Sequence, residues 1–169
     1  VMDSKPSNYT GNMQRPVEMV SWNDCQTFIS RLNELTGETF RLPTEAQWEY
    51  AARGGNKSKG YTYSGSDAIV DVAWCYDTSD RMTHPVKTKA PNELGIYDMS
   101  GNVWEWCSDW FGAHSSDAQT DPTGPATGSY RVVRGGSWTS DCATGCRVAD
   151  RGGFTPAITG GGLGLRLAY

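Results

Sequence analysis

Residues 131–169 constrain the fold most, because two strand-like blocks bracket a segment that cannot hold itself together. The first block is RVVRGGSW at 131–138 and the last is LGLRLAY at 163–169. Both carry the β-branched or alternating apolar positions of short strands. Between them, residues 139–162 are small, polar and rich in glycine. Such a segment buries too little of its own surface to offset the entropy of ordering it, so its flanks must hold it. The upstream chain is then a scaffold for this C-terminal segment.

The middle has a second peculiarity. Its 24 residues contain no Lys, Glu, Gln, Met or Trp, whereas the preceding 138 contain 28 of these. At that rate about five would be expected. These five are the amino acids that no codon ending in C encodes. Two readings stay open at this point: diversification within such codons, or a glycine-rich loop that excludes large side chains.

With 169 residues and a net charge of −4, the chain reads as one domain with no basic run. Nucleic-acid binding through a charged face is not expected. Twenty glycines and seven tryptophans suit a loop-rich domain with an aromatic core. No apolar run is long enough to span a membrane. The abrupt start at Val1 suggests a trimmed N-terminal part and leaves room for a lipid anchor upstream. The five cysteines have no zinc-finger spacing. Cys142 and Cys146 are near enough in sequence to pair, but connectivity is not readable from spacing.

Taken in order, Val17 to Val20 read as a short strand or extended entry. Ser21 with Asp24 forms an acidic capping box for a helix that runs to Leu35 and stops at Gly37. Cys25, Phe28, Ile29, Leu32 and Leu35 share its apolar face, which makes Cys25 a core residue. Phe40-Arg41-Leu42 is extended. Thr44 and Gln47 cap a second helix that ends at Gly54-Gly55. Glu45 and Glu49 lie one turn apart on it, where the helix dipole already favours acids. Residues 55–97 are mostly irregular, with extended candidates at 61–63 and 72–76. A connection this long is usually functional or clamped by ions or disulfides. In residues 104–110, WEWCSDW, tryptophans alternate with other residues, giving a strand with one face on aromatics. Asp98 and Glu105 flank a Gly-Asn turn.

Three segments together resemble the formylglycine-generating enzyme, or sulfatase-modifying factor, family. They are PVEMVSWNDCQTFISRLNELTGETFRLPTEAQWEYAARGG, NELGIYDMSGNVWEWCSDW, and RVVRGGSW with CRVADR and GLGLRLAY. The resemblance spans essentially the whole chain. It implies an α+β, C-type lectin-like fold of the formylglycine-generating type, with two helices, short antiparallel strands and much irregular structure. It also implies one such domain over 1–169, with 131–169 as its variable C-terminal segment. It further implies structural calcium at the Asp98 side chain, the backbone of Gly101 and Val103, and Glu105.

The family's oxidase chemistry needs a copper-binding cysteine pair. Counted back from Thr155-Pro156, Cys142 and Cys146 stand in the wrong register, so no catalytic residue and no redox cofactor is expected. The pattern RGGSW…CRVA.R…TP….LG.RL resembles instead a branch of the same lectin-like group, the variable proteins of bacterial, treponeme-type diversity-generating retroelements. Those systems mutate adenines, so that AAC codons become any codon ending in C. That resemblance implies a non-catalytic, extracytoplasmic or cell-surface display protein for a protein or glycan ligand. The contact positions it implies are Thr139, Ser140, Asp141, Thr144, Gly145, Asp150, Gly152, Gly153, Phe154, Ile158, Gly160, Gly161 and Gly162. Phe154 is their only aromatic. A copper-dependent cysteine oxidase, or a structural or sensory module of the same fold, is the alternative.

Overall fold

The structure is a computed structural model that describes residues 1–2 and 4–169. Helix α1 (Trp22–Thr36) starts where the sequence places it. Ser21 Oγ accepts the Asp24 amide at 3.1 Å, and the Asp24 carboxylate accepts the Ser21 amide at 3.0 Å. It ends at Gly37, whose φ of 73° lets its N–H reach the Asn33 carbonyl. Cys25 and Ile29 are buried, but Leu35 is 71% exposed. The apolar stripe therefore runs one turn further than the core that α1 covers. Helix α2 (Glu45–Ala52) is capped reciprocally by Thr44 and Gln47. It buries Trp48 and Ala52.

The irregular connection departs from expectation in detail. Residues 69–72 form the short helix α3 (Ile69–Val72), so Val72 turns into a cluster with Tyr63, Cys75, Cys142 and Cys146 instead of extending. Only single bridges, Tyr63 to Ser66 and Trp74 to Gly101, remain of the two extended candidates. Residues 17–20 form no strand, and Met19 has a φ of 62°. Asn92 clamps the connection: its Nδ2 donates to the Ala51 carbonyl, and its Oδ1 accepts from Leu94 and Ile96. A disulfide joins Cys75 to Cys142, across 67 residues of sequence.

Four strands form one sheet in the order β3-β2-β1-β4, from β1 (Trp104–Trp110), β2 (Arg131–Arg134), β3 (Arg151–Phe154) and β4 (Leu163–Leu165). β2 is antiparallel to β1 and β3, and β4 is parallel to β1. β1 is buried on both faces, not one. Trp106 packs with Val20, Cys25, Ile29, Leu42, Val133 and Leu163, whereas Cys107 packs with Trp48, Ala52, Met99, Val132 and Val148. A central strand between two helices has no free face, so its acids, Glu105 and Asp109, are buried with it. β3 is the larger surprise, because it lies inside the segment that reads as loop. Its pairing with β2 runs from Arg131 opposite Phe154 to Arg134 opposite Arg151. β2 stops at Gly135-Gly136. At Gly136 φ is 75°, and a Cβ would lie 2.2 Å from the Gly145 carbonyl oxygen, so only glycine allows this approach. Among the described residues, no helix is long and apolar enough to cross a membrane.

Candidate functional site

The segment 139–162 is tied to the rest of the fold in three places. The first is the turn at 137–146. The Ser137 amide donates to Ser140 Oγ at 2.9 Å, and the Tyr76 amide donates to the Ser140 carbonyl at 3.0 Å. Asp141 Oδ1 accepts from both the amide and the hydroxyl of Thr144, at 2.9 and 2.8 Å. Those bonds hold its carboxyl below the ordinary range. The Cys75–Cys142 disulfide fixes the turn covalently.

The second tie is Arg134, which is fully buried. Its guanidinium donates to the carbonyls of Val148, Ala149 and Asp150 at 2.9, 3.2 and 2.6 Å, and to the Glu49 carboxylate. Arg151 adds a two-pronged pair with Glu45, at 2.7 and 2.5 Å. Burial alone would raise the Glu45 carboxyl, but the bonds and charge of Arg151, with Arg134 and His114 beside it, bring it below its usual value. α2 therefore supplies the two carboxylates that hold the entry to β3.

The third tie is the glycine run before β4. The Gly160 carbonyl accepts the Met19 amide, that of Gly161 accepts Trp138 Nε1 at 2.8 Å, and that of Gly162 accepts the Trp104 amide at 2.7 Å.

These ties sort the expected contact positions. Thr139, Asp141, Thr144, Phe154 and Ile158 are exposed. Ser140, Gly145 and Asp150 are partly covered. Burial pushes the Asp150 carboxyl up. Gly152 and Gly153 lie in β3, where a Cβ on Gly153 would meet the Phe111 ring at 2.7 Å. Gly160, Gly161 and Gly162 are half-covered, and their carbonyls serve the scaffold. The structure brings Thr139, Ser140 and Gly162 together around Ser137, and Gly161 onto Trp138. Phe154 stands apart, edge-on to Trp106 with ring centres 6.4 Å apart.

Sequence reasoning missed the fixed aromatic and cationic groups beside Thr139. Tyr9 packs edge-on to Trp138, its hydroxyl donates to the Arg81 carbonyl, and Arg81 donates to the Tyr76 hydroxyl at 2.7 Å. These residues come from irregular stretches without periodicity. Only the tryptophan of the GGSW block gave a signal.

The residues implied for calcium only partly converge. Asp98, Val103 and Glu105 line one cleft with Lys87, Tyr97 and Arg166. Arg166 donates to both Glu105 oxygens, at 2.7 and 2.9 Å, and Trp48 Nε1 donates to one of them at 2.7 Å. Asp98 accepts the Lys87 amide, and burial raises its carboxyl above the usual range. The donor set fits a hard cation only where Arg166 yields Glu105 to it. A copper-binding cysteine pair does not fit. Cys142 is bonded to Cys75, and Cys146 is fully buried with its thiol pushed up to about 12 by burial and by Asp150 and Asp141.

Fold and site define a C-type lectin-like module of the formylglycine-generating type, whose C-terminal segment joins the sheet through β3 and β4. The chain belongs to the family of the sulfatase-modifying factor enzyme 1-like domain, which matches residues 2–169. It is similar to the formylglycine-generating enzyme of Streptomyces coelicolor, with 39% identity over 96% of this chain and 55% of that protein. It thus spans little more than half the length of such relatives. The structure of Treponema denticola variable protein 1 superposes with a TM-score of 0.92 at 33% identity, covering 99% of this chain and 78% of that one. PvdO from Pseudomonas aeruginosa gives 0.80 at 30% identity, covering 94% and 63%.

Proposed function

We propose that this chain is a non-catalytic ligand-binding protein whose C-terminal segment is diversified by a retroelement and displayed on a fixed scaffold. One coincidence carries this. Residues 139–162, which lack the five amino acids that codons ending in C cannot encode, are the residues tied at discrete points with exposed side chains between them. The likeness to Treponema denticola variable protein 1 supports it. Phe154 is the anchor among the contact positions, and the many small residues make this variant's surface shallow. The ligand is a protein or glycan. The Cys75–Cys142 bond supports a location outside the cytoplasm or at the cell surface.

The nucleotide sequence of codons 139–162 and the DNA downstream tests the proposal. Codons ending in C, with a near-copy rich in AAC beside a reverse transcriptase gene, are the expected result. Ordinary codons with no repeat would sink it. Calcium in the cleft of Asp98, Val103 and Glu105, which Gly101 does not line, belongs to the same proposal. Added calcium should then raise the Tm of the native chain and leave that of Asp98→Ala unmoved.

The identity to formylglycine-generating enzymes favours a second reading, a copper-dependent cysteine oxidase. It requires the Cys75–Cys142 bond to open and Cys146 to become exposed. Turnover of a cysteine peptide with copper, lost in both Cys142→Ser and Cys146→Ser, would establish it in place of the display function.

A further inference from the structure

The sheet ends in two unlike edges. The β4 edge is covered by the chain leading into α1. A Cβ on Gly164 would meet the Val17 carbonyl oxygen at 2.5 Å, and the Met19 amide bonds the Gly160 carbonyl just ahead of the strand. The β3 edge is open. In an antiparallel pair, alternate residues of the outer strand turn their N–H and C=O away from the neighbour. Among the described residues, no main-chain group of Gly152, Gly153 or Phe154 bonds to anything outside β2.

Natural sheets guard such an edge with lysine, proline, a bulge or a covering segment. β3 has none of these. Its one charged side chain, Arg151, turns away to Glu45 and to the Gly112 carbonyl. Phe111 covers one face of the strand at Gly153, but it forms no main-chain bond to β3. The two central positions carry no side chain that would keep another backbone at a distance.

We propose that β3 is a docking edge for an extended segment of a protein ligand, which adds as a fifth strand beside Gly152, Gly153 and Phe154. The inference rests on the display reading and narrows it: the ligand is a polypeptide, read partly through its main chain. The complementarity lies in hydrogen-bond groups. An extended peptide presents donors and acceptors at the two-residue repeat of about 6.7 Å at which β3 presents its own. Phe154, 40% exposed, offers an aromatic contact at the end of that ladder. A glycan has no such repeat of alternating amide donors and carbonyl acceptors.

Linear peptides of random sequence, displayed on phage and selected on the full chain, supply the probe. A selected peptide is then synthesised with N-methyl groups on alternate residues, in each of the two registers. One register should weaken binding by about fivefold per N–H removed, roughly twenty-five-fold for the two that so short an edge can accept, and the other should not. The amides among Gly152, Gly153 and Phe154 that face away from β2 should become protected from hydrogen exchange in the complex. Binding indifferent to both registers, protection confined to residues 139–146, or a selection yielding no binder overturns the docking edge. So does protection of β3 that rises with protein concentration alone, which gives the edge to a second copy of the chain. The display reading fails separately, where Phe154→Ser and Thr139→Asn leave every selected peptide bound as before and no amide in residues 139–162 is protected.

Discussion

The two halves of residues 139–154 are secured by different chemistry. Residues 139–146 hang from the irregular connection by a disulfide and by short side-chain bonds around Ser137, Ser140 and Asp141. Residues 148–154 hang from helix α2 through Arg134 and Arg151, and from β2 through the ladder. The first half is open to reductants, the second to acid and to loss of a single guanidinium. One segment thus answers to two independent perturbations, and each should loosen one half while sparing the other.

The largest effect should come from Arg134→Ala. It strands the carbonyls of Val148, Ala149 and Asp150 and removes one partner of Glu49, which keeps Arg53. Breaking a buried charged network from one side costs about 3–5 kcal/mol. Urea unfolding should report that loss. Hydrogen exchange should rise first in residues 148–154, and equal loosening of 139–146 would show that the halves are not independent. Next in size is the disulfide. Cys75→Ser with Cys142→Ser, or reduction of the native protein, should cost about 2–4 kcal/mol. Exchange should then rise in residues 139–146 while the β3 amides keep their protection.

Acid should act on the second half through Glu45. Its folded-state pKa lies below the ordinary 4.5, so its contribution is fully present above that value and is lost as pH falls through the lower, folded one. Arg151 and Arg134 face this carboxylate, with His114 at 3.5 Å. The buried Asp109 and the partly covered Asp98 and Asp150 have raised values and act in the opposite sense, losing stability as pH rises through their folded values. Arg151→Gln should therefore lower the neutral plateau of a Tm-against-pH curve and leave its acid end well below 4.5 nearly unmoved, so that the acid limb flattens. An unchanged limb would remove Glu45 from the account.

What was legible in the sequence is what is locally caused. Ser21 with Asp24, Thr44 with Gln47 and the stop at Gly37 announce the two longer helices, because a cap is made by residues three or four apart. β1 was legible as a strand, but not its second buried face, because the partners of Glu105 and Asp109 come from Arg166 and from the start of α2. β3 was hidden because Gly152-Gly153 has no strand preference of its own, and β2 imposes the conformation. The contact positions came from the family pattern, which says where side chains vary but not which are exposed. The disulfide was equally out of reach: Cys146 is near Cys142 in sequence, yet Cys75 holds the bond.

The smallest effects should fall on the exposed positions, and there the comparison between the halves is sharpest. Phe154 keeps one edge-on contact with Trp106 and stands 40% exposed, so Phe154→Ser should cost about 1 kcal/mol or less. Thr139→Asn and Ile158→Asn should stay within about 0.5 kcal/mol. Gly153→Ser should cost more than any of these, although glycine to serine is the smaller chemical change, because its Cβ would enter the Phe111 ring. On the proposed display function, the segment should tolerate substitution where side chains are exposed and resist it where it is tied. Thermal scans of the four variants decide this. If Gly153→Ser melts with the native chain, Phe111 yields, and position 153 joins the displayed surface.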